Sequence, residues 1–137
     1  MMKRKTTWTE KLNSPKRHEV KPAPINIAGM KAGQIMLVPT AKIVDDFIRT
    51  IPKGVSMDVK TLRAKLARKY KAEVTCPITT GYHLKTIAEA AFEAHQQGAK
   101  VREITPIWRV LDESTPTTKR LSYDPAFIMD QRAREGL

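Results

Sequence analysis

One cysteine, three histidines and one adjacent pair of aspartates are the side chains of this 137-residue chain that most readily do chemistry. Cys76 stands just before Pro77, and the histidine nearest to it in the downstream sequence is His83. A thiol attacks as its thiolate, so it needs a base or a cation beside it. The sequence supplies neither next to Cys76, and a small, half-buried apolar residue is the simpler assignment. A methyltransferase using Cys76 is kept as a rival. His18, His83 and His95 show no metal-ligand spacing, and one cysteine cannot complete a zinc set, so neither a metal nor a cofactor is expected. Asp45 and Asp46 are adjacent, and on a helix they point about 100° apart. They read as surface charge, not as a catalytic pair. The segments KAGQ (31–34) and PKG (52–54) are ordinary turns, not phosphate-cradling loops.

What the chain holds in quantity is positive charge. Lys and Arg number 25 against 14 Asp and Glu, a net +11 with an isoelectric point near 10.0. A domain this basic is built to meet a polyanion, with nucleic acid first and an anionic membrane surface or a ribosome behind it. The charge is not evenly spread. Lys60, Arg63, Lys65, Arg68, Lys69 and Lys71 fall between residues 59 and 71 without one anion. A solvated helix usually mixes signs, so a one-sign helix is a polyanion surface. A second candidate is the polar turn TTGYHLK. Thr79, Thr80, Gly81, Tyr82 and Lys85 are small, hydrogen-bonding or cationic, and suit close approach to a backbone or groove floor.

A lone cysteine closes no disulfide within the chain, which fits a reducing compartment. No stretch approaches the roughly 18 apolar residues of a membrane helix, and no apolar signal core follows the basic N-terminus. A cytoplasmic, nucleoid-associated protein is expected, with double-stranded DNA as partner, no membrane, and a monomeric state.

The elements that must carry these residues follow from periodicity. Residues 1–24 hold seven Lys or Arg, two Glu and three Pro. They read as an extended basic arm, either solvated or lying along phosphates. QIMLV (34–38) fits a strand ended by Pro39. Thr40 then caps a helix whose apolar face is Ile43, Val44, Phe47 and Ile48. That helix stops before Pro52. Asp58 caps a second helix with Val59, Leu62, Leu66 and Tyr70 inward. Thr79 or Thr80 caps a third, with Leu84, Ile87, Ala88, Ala91, Phe92 and His95 on one face and Gly98 at its stop. KVREITPIWRVL (100–111) reads as β-rich, although Pro106 interrupts it. On a regular strand Ile104, Trp108 and Val110 share one face and Ile107 and Arg109 the other, which favours a core role for Trp108 over stacking on a base. A loop and a short C-terminal helix complete the chain. The fold class is therefore mostly α with a small β component: a winged helix-turn-helix-like DNA-binding domain with a basic N-terminal arm. The divisions are 1–33 for the arm, 34–111 for the domain, and 112–137 for the loop and last helix.

Three segments in order, IPKG (51–54), TCPITTG (75–81) and ITPIWR (104–109), resemble the DNA-binding domain of the alkylguanine-DNA alkyltransferases, the methylated-DNA-protein cysteine methyltransferases. The chain is still more similar to the alkyltransferase-like proteins, which lack the alkyl-accepting cysteine. The family's active-site run PCHRV matches Pro106, Ile107, Trp108, Arg109 and Val110. The resemblance puts Ile107 where the accepting cysteine belongs and Trp108 where the activating histidine belongs. It puts Val59 at the tyrosine that helps rotate the damaged nucleotide. The arginine that fills the gap in the duplex falls near Ile78, and Arg109 matches a residue that supports the active-site loop. Beyond residue 111 the family's glycine-rich tail is not recognisable. The resemblance, over about residues 34–111, implies a non-catalytic DNA-binding protein that recognises alkylated guanine for repair, with repair proteins as further partners. Val59, Pro106, Ile107, Trp108 and Arg109 are the lesion-pocket candidates. An RNA- or ribosome-associated protein on the same scaffold is the other alternative, since fold does not determine function.

Overall fold

The structure is a computed structural model that describes residues 6–137. Among the described residues the architecture is mostly helical, with five α-helices and one three-stranded sheet. The helices are α1 (Trp8–Leu12), α2 (Ala41–Ile48), α3 (Val59–Lys69), α4 (Pro77–Gln96) and α5 (Ala126–Arg134). The strands are β1 (Glu19–Pro22), β2 (Ile35–Val38) and β3 (Val74–Thr75), in the order β1-β2-β3. β1 runs antiparallel to β2, with Val20 opposite Leu37, and β3 joins β2 in parallel, with Met36 opposite Val74.

Local signals account for much of this. The Thr40 hydroxyl accepts from the Ile43 N–H at 3.2 Å, and the Asp58 carboxylate from the Thr61 N–H at 2.7 Å, satisfying donors that a helix start leaves open. Val44, Ile48, Leu62 and Leu66 are fully buried, as the spacing predicts. Gly98, with φ +103°, ends α4. Its N–H donates to the His95 carbonyl, and the Ala99 N–H to that of Ala94, the pair of bonds that closes a helix through a left-handed residue. α3 ends the same way, but with Lys71 at φ +56° in the glycine position.

Several expectations change. α4 begins at Pro77, before Thr79, because proline suits the first helical position and loses no needed donor there. The Thr80 hydroxyl is then turned inward onto the Cys76 carbonyl at 2.7 Å. Residues 100–111 form no strand. They fold as two single 3-10 turns, Val101–Glu103 and Ile107–Arg109. The period-2 pattern misleads here because Ile104, Pro106, Ile107, Trp108, Val110 and Leu111 are all buried, whichever way a strand would point them.

The extended arm over 1–33 is also revised. Residues 1–5 lie outside the described residues. After them α1 packs on α4, with the Glu93 carboxylate accepting from the Trp8 N–H at 3.3 Å, the Thr9 N–H at 3.2 Å and the Thr9 hydroxyl at 2.8 Å. β1 is paired into the sheet. Residues 112–137 likewise fold back, and Ile128 of α5 is fully buried in the same core as Leu37, Leu62 and Leu84. Burying one such side chain contributes about 1.5–3 kcal/mol. Among the described residues no helix is long and apolar enough to cross a membrane.

Candidate nucleic-acid interface

The first turns of α4 present an exposed apolar ridge. Ile78 is 61% exposed and Tyr82 65%, four residues apart and so on one face. Two hollows flank Tyr82. One, of about 390 Å³, is lined by Pro77, Ile78, Gly81, Tyr82 and Lys85, with Thr117 and Arg120 arriving from the loop before α5. The other, of about 610 Å³, lies between α4 and the N-terminal segment. Of the predicted groove residues, Gly81, Tyr82 and Lys85 therefore do meet at one surface, joined by Arg120. The sequence offers no signal for Arg120, which sits in an aperiodic loop. Thr79 donates to the Cys76 sulfur at 3.2 Å and Thr80 is fully buried, so both hydroxyls serve the helix start. The Lys85 ammonium lies 5.8 Å from the centre of the Trp8 ring, a cation–π contact that holds it near α1.

On α3, Lys60, Lys65, Arg68 and Lys69 are exposed and Arg63 is half-buried. Among the described residues none of the five makes an ion pair. Lys60 and Arg63 rim a hollow of about 180 Å³ together with Glu73. None of these three hollows holds residues of both α3 and the α4 turn, so the cations form two patches rather than one pocket.

The ITPIWR segment is structural. Ile107 is fully buried and Trp108 is 2% exposed. Pro106 is buried, and Val59 is half-buried against the core. Arg109 is bound from the far end of the chain. Its Nε donates to one Glu135 oxygen at 2.9 Å and its Nη2 to the other at 3.0 Å, while its Nη1 donates to the Ile51 carbonyl at 2.7 Å. The same carboxylate accepts from the Trp108 indole N–H at 2.7 Å and the Gly54 N–H at 2.9 Å. Burial alone would raise the Glu135 pKa, but the bonds from Arg109, Gly54 and Trp108 and the Arg109 charge outweigh it and hold it at about 2. None of the lesion-pocket candidates lines any of the three hollows.

No family model, curated protein or solved structure matches the chain.

The remaining reactive side chains are scattered. Cys76 is half-buried beside the small cluster of Ala23, Met30 and Met36. Among the described residues no imidazole is a hydrogen-bond partner of its sulfur. The rings of His83 and His95 bond to the Pro39 and Ala99 carbonyls, and His18 tilts against Tyr70. Among the described residues no three His, Cys, Asp or Glu side chains are grouped to hold a metal. Asp45 is corrected from surface charge to core: it is 1% exposed, accepts from the Thr105 hydroxyl, and pairs with Arg49 at 3.2 Å. Asp46 does stay at the surface, paired with Lys42. Glu89 is a further buried acid the sequence did not mark. It accepts from the Ser122 N–H and hydroxyl, tying the last loop to α4.

Proposed function

We propose that the protein is a non-catalytic binder of double-stranded DNA, of the alkyltransferase-like kind. In this proposal α3 and α4 act as a winged helix-turn-helix-like pair, with α4 in the groove and α3 along phosphates, in a monomeric cytoplasmic protein. The observation that carries it is the set of five α3 cations that make no ion pair among the described residues, on a chain of net charge +11. Unpaired cations release condensed counterions when they meet phosphates, so binding weakens as salt rises. With roughly five phosphates neutralised, log K falls against log salt with a slope of about −4.5. The experiment is duplex binding by fluorescence anisotropy across a salt series. A flat response sinks the proposal. Competition by single-stranded RNA stronger than by duplex DNA would move it to RNA.

Recognition of alkylated guanine follows from the resemblance alone. A lesion would have to enter beside Gly81, Tyr82 and Arg120, since the side chains at 106–109 are packed. Gel shifts of plain and methylguanine duplexes separate the cases: tighter binding to the lesion supports recognition, equal binding leaves general DNA binding. Label transferred from methylated DNA to Cys76 would overturn the non-catalytic assignment.

A further inference from the structure

The hollow of about 610 Å³ between the N-terminal segment and α4 adjoins the duplex surface just proposed and shares Tyr82 with it. Its volume is within the roughly 300–1,000 Å³ usual for a site that takes one small ligand. One wall comes from residues 10–12 and 14–17, the other is the Thr79, Tyr82 and His83 side of α4, and Val38 and Pro39 are also part of the lining. We propose that this hollow binds a single nucleotide, its base against Tyr82 and His83 and its phosphate on Lys16 and Arg17.

Three observations converge. Tyr82 is 65% exposed and lines the hollow, so its ring offers a face on which a base of any identity can stack. His83 also lines it. Its Nε2 lies 2.8 Å from the Pro39 carbonyl, which can only accept, so Nε2 carries the proton. Nδ1 is then an acceptor, and it is buried with no partner. Burial lowers the ring's pKa and the Lys16 charge lowers it further, against the Pro39 bond, which keeps the imidazole neutral. At the rim, Lys16 and Arg17 are exposed and make no ion pair among the described residues. Two carboxylates, Glu10 and Glu19, also line the hollow, and that of Glu19 is turned to Lys21 at 2.8 Å. The hollow thus offers a π face, a neutral imidazole and a pair of cations, the set a nucleotide fills and bare phosphate does not.

The source of the nucleotide is either free monophosphate or a unit of single-stranded DNA, and one titration tells them apart. Amide resonances of the labelled full chain are followed with deoxyadenosine monophosphate, deoxyadenosine, inorganic phosphate and a short oligo(dA). The expected result is that the monophosphate moves Tyr82, His83 and Thr86, and binds about tenfold or more tighter than either of its parts. The double variant Lys16→Ala/Arg17→Ala should lose about tenfold in monophosphate affinity while deoxyadenosine binding is kept. Tyr82→Ala should weaken monophosphate and deoxyadenosine alike. Oligo(dA) binding tighter than monophosphate at the same residues assigns the site to a strand; equal binding assigns it to the free nucleotide. Unmoved lining resonances, or inorganic phosphate binding as tightly as monophosphate, would overturn the proposal. Lys60→Glu/Arg63→Glu keeps the two proposals distinct. It should abolish duplex binding and leave the monophosphate titration unchanged; loss of monophosphate binding in that variant also overturns the nucleotide site.

Discussion

Replacing Glu135 with glutamine tests whether the chain's last turn is what holds the ITPIWR segment closed. The native carboxylate accepts four hydrogen bonds, two from Arg109 and one each from Trp108 and Gly54. Its side chain is 7% exposed, and that of Arg109 is 15% exposed. A carboxyl pKa held at about 2 instead of 4.5 corresponds to about 3 kcal/mol of preference for the charged form. Solvent screening at the rim reduces this to about 2 kcal/mol. Glutamine keeps the shape but brings an amide donor toward donors, so Glu135→Gln should lose about 2–3 kcal/mol at neutral pH. The pH dependence has a definite sign. A group whose folded pKa is depressed contributes fully above its unfolded value of 4.5, and loses that contribution as pH falls toward about 2. The gap between wild type and variant should therefore be constant above about pH 5.5 and narrow steadily below pH 4.5. Other carboxylates with lowered pKa, such as Asp58 and Asp112, titrate in both proteins and cancel in the difference. Urea midpoints at several pH values measure it. A gap under about 0.5 kcal/mol at neutral pH, or one that does not change on acidification, would refute the clasp.

Three other outcomes are expected. Lys71→Gly removes a side chain from a left-handed position and should stabilise by a few tenths to about 1 kcal/mol; a lower thermal midpoint would contradict the helix-end geometry. Glu93→Ala strips the partner from Trp8 and Thr9, at a cost of about 1–2 kcal/mol. It should speed tryptic cleavage at Lys11 and Lys16, and unchanged cleavage would mean α1 is not held this way. In a Cys76→Ala background, Ile107→Cys should react with a thiol reagent only at the rate of unfolding, because that position is fully buried; fast labelling of the native protein would expose a pocket the structure does not contain.

Where sequence reasoning succeeded, the determinants lie within a turn or two of each other. Thr40 and Asp58 bond to amides three residues on, and Gly98 bonds to a carbonyl three residues back. The buried faces of α2 and α3 repeat at helical spacing. Where it went astray, burial had erased the pattern. KVREITPIWRVL alternates like a strand, yet nearly every apolar residue in it is inside, so its period carried no information about direction. The candidate interface was half legible. Gly81, Tyr82 and Lys85 are marked by composition, as is the basic run that holds Lys16 and Arg17, but Arg120 is not.

The sequence by itself determined a basic, mostly helical chain and the caps and faces of its middle helices. Only the tertiary structure decided what Ile107 and Trp108 do. Glu135 reaches Arg109 across 26 positions, Asp45 meets Thr105 across 60, and Glu93 holds Trp8 across 85. Such pairings depend on the path of the whole backbone, and no local propensity encodes them. They turn an arm into a packed helix, a tail into a clasp, and an expected strand into a closed turn.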